Sequence, residues 1–136
     1  MTKKSSPRWL ERCLLTGPFI TLCTTPAAYR RACKHLGVAK NARPQFLLTP
    51  HHGATVHFFE SEKEAYPAAI VCIRAGEGRS PEQVTALLVH EAVHIWQSTK
   101  EWHNETCPGK EMEAYGIQAI AQALMTEYAR QTTPTK

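Results

Sequence analysis

The sequence of 136 residues predicts one α+β domain, with short strands in its first half and two long helices in its second. Two observations support this prediction. Short apolar runs bounded by Gly, Pro, Asn or Ser recur between residues 19 and 73. Residues 81–125 instead carry apolar residues at helical spacing, with a break at Pro108-Gly109. Strands followed by helices are typical of the α+β class.

The individual elements follow from these patterns. Thr25 and Pro26 form a helix start, and Gly37 marks the end of that helix. Ser80, Pro81 and Gln83 form a stronger helix start, with a capping residue, a proline in the first turn and an amide three residues after the cap. The predicted strands are 19–23, 46–49, 54–59 and 68–73, and the predicted helices are 27–35, 81–97 and 111–125. We expect residues 1–8 and 131–136 to be flexible.

The most informative motif is the run His90-Glu91-Ala92-Val93-His94. Two helical residues four positions apart project in directions that differ by only ~40°. Both imidazoles can therefore reach one metal ion, and Glu91 lies beside them, where it can meet a metal-bound water. This H-E-x-x-H pattern is typical of zinc peptidases.

The helix that carries this motif is apolar on nearly all sides. Its apolar residues lie in two groups: Val84, Leu88 and Ile95, and Val89, Val93 and Trp96. Such helices are buried between other elements. We therefore expect His90, Glu91 and His94 to be buried polar groups, and a metal would supply a partner for them. The alternative is a pair of core histidines bonded to carbonyls, which would leave Glu91 buried and unpaired at a high cost.

A catalytic zinc site takes three protein ligands and leaves one position open for water. The downstream candidates are Glu101, His103, Glu105, Glu111 and Glu113. Helical direction favours Glu113, which projects nearer the apolar stripe of the last helix. Glu111 and Glu113 lie in the first turn of the last predicted helix, where either carboxylate could instead interact favourably with the helix dipole without binding a metal.

The H-E-x-x-H helix, followed by the run Glu111-Met112-Glu113-Ala114, resembles the gluzincin branch of zinc metallopeptidases. Several groups of that branch place the ligand Glu three residues before a small Ala. The sequence also resembles short metallopeptidases encoded by phages and prophages, and the resemblance covers mainly residues 80–125. The resemblance implies Glu111 as the third ligand, with Glu113 as the second candidate.

The same resemblance implies a minimal zincin-like domain that spans residues 1–136. In that architecture a small sheet packs on the buried H-E-x-x-H helix, and the C-terminal helix gives the third ligand. The edge strand of the sheet lines the cleft and can pair with an extended peptide substrate. We expect residues 68–73 to form that strand.

The chain departs from thermolysin-like members because it contains no Asp. Those enzymes use an Asp after the ligand Glu to orient a zinc histidine, and Tyr115 stands at that place. Orientation would then come from another side chain, such as Glu113, Gln118 or Asn104. His103 or Tyr115 could stabilise an oxyanion, whereas His51 and His52 are expected to be solvated in a turn.

Composition limits the remaining possibilities. The five cysteines form no C-x-x-C pair, so we expect reduced thiols in the cytoplasm rather than a disulfide framework. The net charge of +4 is mild and comes from basic residues spread along the N-terminal 43 positions, so we do not expect nucleic-acid binding. No stretch is long and apolar enough to span a membrane.

The sequence therefore predicts a zinc-dependent metallopeptidase that acts on a peptide or protein substrate. His90, His94 and Glu111 would hold Zn²⁺, and Glu91 would be the general base. A second hypothesis is a non-catalytic zinc-containing binding or regulatory module of phage origin, for which Glu91 would not be needed. A third, suggested only by the basic N-terminal half, is a metal-free phage protein associated with nucleic acid.

Overall fold

The structure is a computed structural model, which describes residues 6–11, 15–49, 51–60, 67–76 and 78–134. In chain order the elements are β1 (Phe19–Cys23), α1 (Pro26–His35), β2 (Ala54–Phe59), β3 (Ala68–Ile73), α2 (Pro81–Trp102) and α3 (Lys110–Thr132), with a short 3₁₀ turn at Lys40–Ala42. The prediction of an α+β fold is confirmed. The strand bounds of β1, β2 and β3 agree with those predicted from the sequence.

The described strands form one mixed sheet in the order β1-β3-β2. Strand β1 runs parallel to β3, with Phe19 opposite Ala68, whereas β2 runs antiparallel to it, with Ala54 opposite Ile73. The expectation that residues 68–73 form the edge strand is therefore wrong, because β3 lies in the centre. Its six side chains are all buried, since both of its faces are covered.

The sheet separates two hydrophobic layers. Ala69, Val71 and Ile73 of β3 face a cluster that includes Leu88 and Ile95 of α2 and Leu124 of α3. The alternate residues Ala68, Ile70 and Cys72 face a second cluster that includes Tyr29 and Cys33 of α1. Successive strand residues point to opposite faces, so one apolar run serves both layers. As a result, α2 lies on one face of the sheet, where it contacts β2 and α3.

Some sequence-based bounds differ from the structure. Residues 46–49 are bends rather than a strand, because Phe46 and Leu47 are buried by packing against the α1 layer without a partner strand. Helix α2 continues five residues beyond the predicted end at Gln97, to Trp102. Helix α3 continues to Thr132, so residues 131–132 are helical rather than flexible, whereas residues 1–5 and 135–136 lie outside the described part.

The sequence predicts reduced thiols, and the structure describes four of the five cysteines. Cys23, Cys33, Cys72 and Cys107 are free, and Cys13 lies outside the described residues. Among the described residues, no helix combines the length and the apolar character needed to cross a bilayer.

Candidate metal centre

The helix that carries the H-E-x-x-H motif begins with the capping box predicted from the sequence. Ser80 Oγ accepts the backbone N–H of Gln83 at 3.2 Å, and Gln83 Oε1 accepts the backbone N–H of Ser80 at 2.8 Å. Pro81 occupies the first helical position, where its missing N–H costs nothing. The helix start is thus fixed about two and a half turns before His90.

The two motif histidines converge on one point. His90 Nε2 and His94 Nε2 lie 3.1 Å apart, and the two rings meet nearly edge to face. Two nitrogens bound to one zinc at about 2.0–2.1 Å in tetrahedral geometry would be roughly 3.3–3.4 Å apart. The spacing of these two donor atoms therefore fits a shared zinc ion within a few tenths of an ångström.

Gln97 orients one of these rings. His94 Nδ1 lies 3.1 Å from Gln97 Oε1, an acceptor that favours the proton on Nδ1. The Nε2 lone pair of His94 then points to His90 Nε2, 3.1 Å away, and could bind a metal in its place. Fixing the tautomer in this way is the usual role of a residue that bonds the other nitrogen of a ligating histidine. The candidates proposed for this role lie elsewhere: Glu113 contacts other residues, Gln118 is exposed, and Asn104 lies beyond the end of α2.

The motif residues differ in burial. Glu91 is only 4% exposed, as expected, but His90 and His94 are both exposed, so the expectation of buried histidines is wrong. The reason is the position of α2, whose histidine side lies next to the edge strand β2 rather than under the middle of the sheet. The sheet therefore covers Glu91 but leaves the two imidazoles open to solvent.

The pKa of Glu91 lies above the ordinary value of a glutamate. Burial raises the pKa of its carboxyl group, and the nearby His90 and His94, the backbone N–H of Val56 and His52 offset this only in part. A carboxylate that is held in such a place accepts a proton more readily than one in water. The hydrogen bond from Val56 also ties the motif helix to β2.

An open cavity of about 510 Å³ lies between α2 and β2. It is lined by Leu48, His51, His52, Gly53, Ala54, Thr55, Val56, Phe58, Leu87, His90, Glu91 and His94. His51 and His52 are exposed, as expected for a turn, yet they share this cavity with the motif. Sequence reasoning missed their placement, which depends on β2 being the edge strand beside α2.

The carboxylates proposed as third ligand lie on α3. Glu113 Oε2 accepts the indole N–H of Trp96 at 3.0 Å and lies 3.5 Å from Lys100 Nζ, so it faces α2. Glu111 is exposed, and two residues along a helix turn its direction by ~200° from that of Glu113. Within the described ranges no three His, Cys or Glu side chains are already grouped as metal ligands. The third ligand thus stays a prediction.

The candidates for oxyanion stabilisation also lie outside the cavity. His103 Nε2 lies 2.6 Å from the carbonyl oxygen of Thr16, an interaction that joins the end of α2 to the segment before β1. Tyr115 is 62% exposed on the first turns of α3. Neither residue lines the cavity that contains Glu91.

No protein-family model, curated protein or solved structure matches this chain.

Proposed function

We propose that this protein is a zinc-dependent metallopeptidase in which His90 and His94 bind the metal and Glu91 is the general base. The observation that carries the proposal is the 3.1 Å convergence of the two Nε2 atoms beside a buried carboxylate, at the wall of an open cavity. Imidazole nitrogens are preferred zinc ligands, and a glutamate beside them can act as base towards a metal-bound water. Glu111 completes the ligand set in this proposal, with Glu113 as the second candidate.

When bound, Zn²⁺ would polarise the scissile carbonyl group and lower the pKa of its water ligand towards ~7. Glu91 then accepts the proton of the attacking water and later passes it to the leaving amine. Its position suits this role, because Glu91 lines the same cavity as the two imidazoles. Because β2 rather than β3 is the edge strand on this side, an extended substrate would lie along β2.

The alternative is a non-catalytic zinc module. A structural zinc site is normally closed by four protein ligands, whereas catalytic sites keep one position open. His90 and His94 are exposed at an open cavity, and this favours a catalytic zinc site over a structural one. Since His51 and His52 line the same cavity, zinc bound by four histidines would instead favour the structural one.

The test combines metal content with hydrolysis. Wild type, His94→Ala and Glu91→Gln are purified, equilibrated with zinc, desalted and compared by elemental analysis and by digestion of a fluorescently labelled casein. We expect about one zinc per chain in wild type and in Glu91→Gln, and almost none in His94→Ala. Hydrolysis should occur only in wild type.

Each contrary result has a distinct meaning. Equal zinc contents in wild type and His94→Ala would overturn the metal site. Undiminished hydrolysis by Glu91→Gln would overturn the role of Glu91. Zinc bound through His94 without hydrolysis by wild type would favour the non-catalytic module.

A further inference from the structure

The lining of the cavity beside the motif combines two kinds of side chain. His90, Glu91 and His94, with the turn histidines His51 and His52, are polar. Leu48, Val56, Phe58 and Leu87 are apolar, and we call these four residues the apolar wall. A small-molecule or peptide site usually combines a few polar groups with such an apolar lining.

Two members of the apolar wall are unusually exposed. Leu48 is 56% exposed and Phe58 is 43% exposed, although both are large and hydrophobic. Trp102, Met112 and Tyr115 are also exposed hydrophobic side chains of the described chain, but they do not line this cavity. Large exposed apolar side chains next to a polar site are typical of a surface that a ligand covers.

The position of Phe58 follows from strand alternation. His57 turns to the α1 face, where it is buried and its Nε2 lies 3.1 Å from the carbonyl oxygen of Phe46. Its neighbours Val56 and Phe58 must then face the α2 side, where Glu91 lies. The exposure of Phe58 therefore results from the same strand pattern that places Val56 against the catalytic carboxylate.

The position of Leu48 is also fixed by β2. Its backbone N–H donates to Thr55 Oγ1 at 3.4 Å, and the preceding Phe46 and Leu47 are buried. The chain thus holds an exposed leucine next to the cavity while two hydrophobic residues before it are packed. An apolar side chain held in this way gains by contact with an apolar ligand group.

The backbone of β2 indicates what kind of ligand lies there. At the opposite edge of the sheet, Leu10 N–H donates to the carbonyl oxygen of Ile20 at 2.8 Å, so β1 already has a neighbouring segment. Within the described residues, no strand pairs with the outer edge of β2. The N–H of Val56 already donates to Glu91, so an extended peptide would add there through the other main-chain groups of β2 and place alternate side chains towards the α2 side.

We propose that the apolar wall is a specificity subsite that receives a large apolar side chain, such as Leu or Phe, of a peptide bound along β2. This inference rests on the proposed function, because the peptide bond next to that side chain is the one presented to His90, Glu91 and His94. Small or charged side chains would leave Leu48 and Phe58 uncovered. The subsite therefore favours peptides with a bulky apolar residue at the cleaved bond.

The test measures binding of two probes to the zinc-loaded protein by titration calorimetry. N-acetyl-leucine hydroxamate and N-acetyl-glycine hydroxamate share a zinc-binding group and differ only in the side chain. We expect wild type to bind the leucine probe about tenfold more tightly or better. Leu48→Ala and Phe58→Ala should reduce this ratio several-fold, while the affinity for the glycine probe changes little.

Tyr115→Ala is the matched control, since it removes an exposed large side chain that does not line the cavity. It should keep the wild-type ratio, and all variants should keep the wild-type zinc content. A wild-type ratio near one, or a ratio that both wall variants leave unchanged, would overturn the subsite while the zinc site stands. The subsite would also be overturned if the zinc-loaded wild type bound neither probe. A wild type that retains no zinc after loading would instead overturn the proposed function.

Discussion

Trp96 Nε1 donates a hydrogen bond to Glu113 Oε2 over 3.0 Å, and this bond joins the first turn of α3 to α2 only two residues beyond the second motif histidine. Trp96 is 2% exposed, so its indole N–H has little access to water. The nearby Lys100 Nζ, 3.5 Å from the same oxygen, adds a partly exposed ion pair. Glu113 thus already has structural partners, which distinguishes it from Glu111.

Glu113→Ala should lower the free energy of unfolding more than Glu111→Ala does, because the indole N–H of the buried Trp96 loses its acceptor. Urea unfolding followed by tryptophan fluorescence and circular dichroism would measure the change. Glu111→Ala is the control, and its exposed position predicts a change within about 0.5 kcal/mol. Equal stabilities of the two variants would show that the Trp96 contact contributes little.

The same two variants separate the candidates for third ligand. Glu111→Ala should weaken zinc binding by about 100-fold, measured by competition with a chromogenic chelator, whereas Glu113→Ala should leave it close to wild type. Because Glu111→Ala is expected to keep its stability, a loss of zinc would report ligation rather than unfolding. The reverse pattern would assign Glu113, and two unchanged affinities would direct the search to His51 and His52, which line the cavity.

Local patterns predicted much of this structure. The Ser80 cap, the bounds of the three strands and the burial of Glu91 all depend on residues close in sequence, where capping and alternation act directly. The edge position of β2 could not be derived in this way. It depends on parallel pairing between β1 and β3, which are separated by about 45 residues along the chain.

The parallel pairing of β1 with β3 explains why the predicted burial of the two motif histidines was wrong. Because β3 takes the centre, α2 lies with its histidine side next to β2, so His90 and His94 are exposed and the turn before β2 enters the cavity. An apolar pattern on nearly every side of α2 correctly indicates burial of Glu91. It does not reveal where the sheet ends, which is what decides the exposure of the two histidines.

The close packing of α2 and α3 depends on a glycine. A Cβ atom at Gly116 would lie 2.6 Å from Cε3 of the buried Trp96 ring. Gly116→Ala should therefore lower the free energy of unfolding by about 1–3 kcal/mol, even though alanine favours helix by about 1 kcal/mol. Thermal and urea unfolding would measure the loss.

A double-mutant cycle identifies the cause of that loss. In Trp96→Phe the ring that meets the new methyl group is smaller, so Gly116→Ala should cost less in that background than in wild type. A difference of about 1 kcal/mol between the two costs would show direct coupling between the residues. Equal costs in both backgrounds would assign the effect to α3 alone.

The carboxylate of Glu127 on α3 should make stability depend on acidic pH. Its side chain is 4% exposed, and it pairs with Arg130 at 2.6 Å and with Arg8 at 3.1 Å. Burial raises the pKa of Glu127, but hydrogen bonds from Arg130 and Gln131 and the charges of Arg130 and Arg8 outweigh it and hold the pKa below its usual value.

The direction of the pH effect follows from that shift. The folded state binds the proton of Glu127 less readily than the unfolded chain, whose Glu pKa is about 4.3. Its contribution is therefore complete above about pH 5 and is lost as the pH falls through the lowered folded value. We expect wild type to exceed Glu127→Gln in stability near pH 7, and the difference to shrink steadily below about pH 4.

Urea midpoints of the two proteins between about pH 3 and pH 7 would measure this difference. Glu101→Gln, at an exposed carboxylate of α2, provides the control and should show a nearly constant difference from wild type over the same range. A constant difference for Glu127→Gln as well would mean that its charge is not linked to folding. The partners of Glu127 would then contribute through hydrogen bonds that the amide can also make, rather than through the ion pairs.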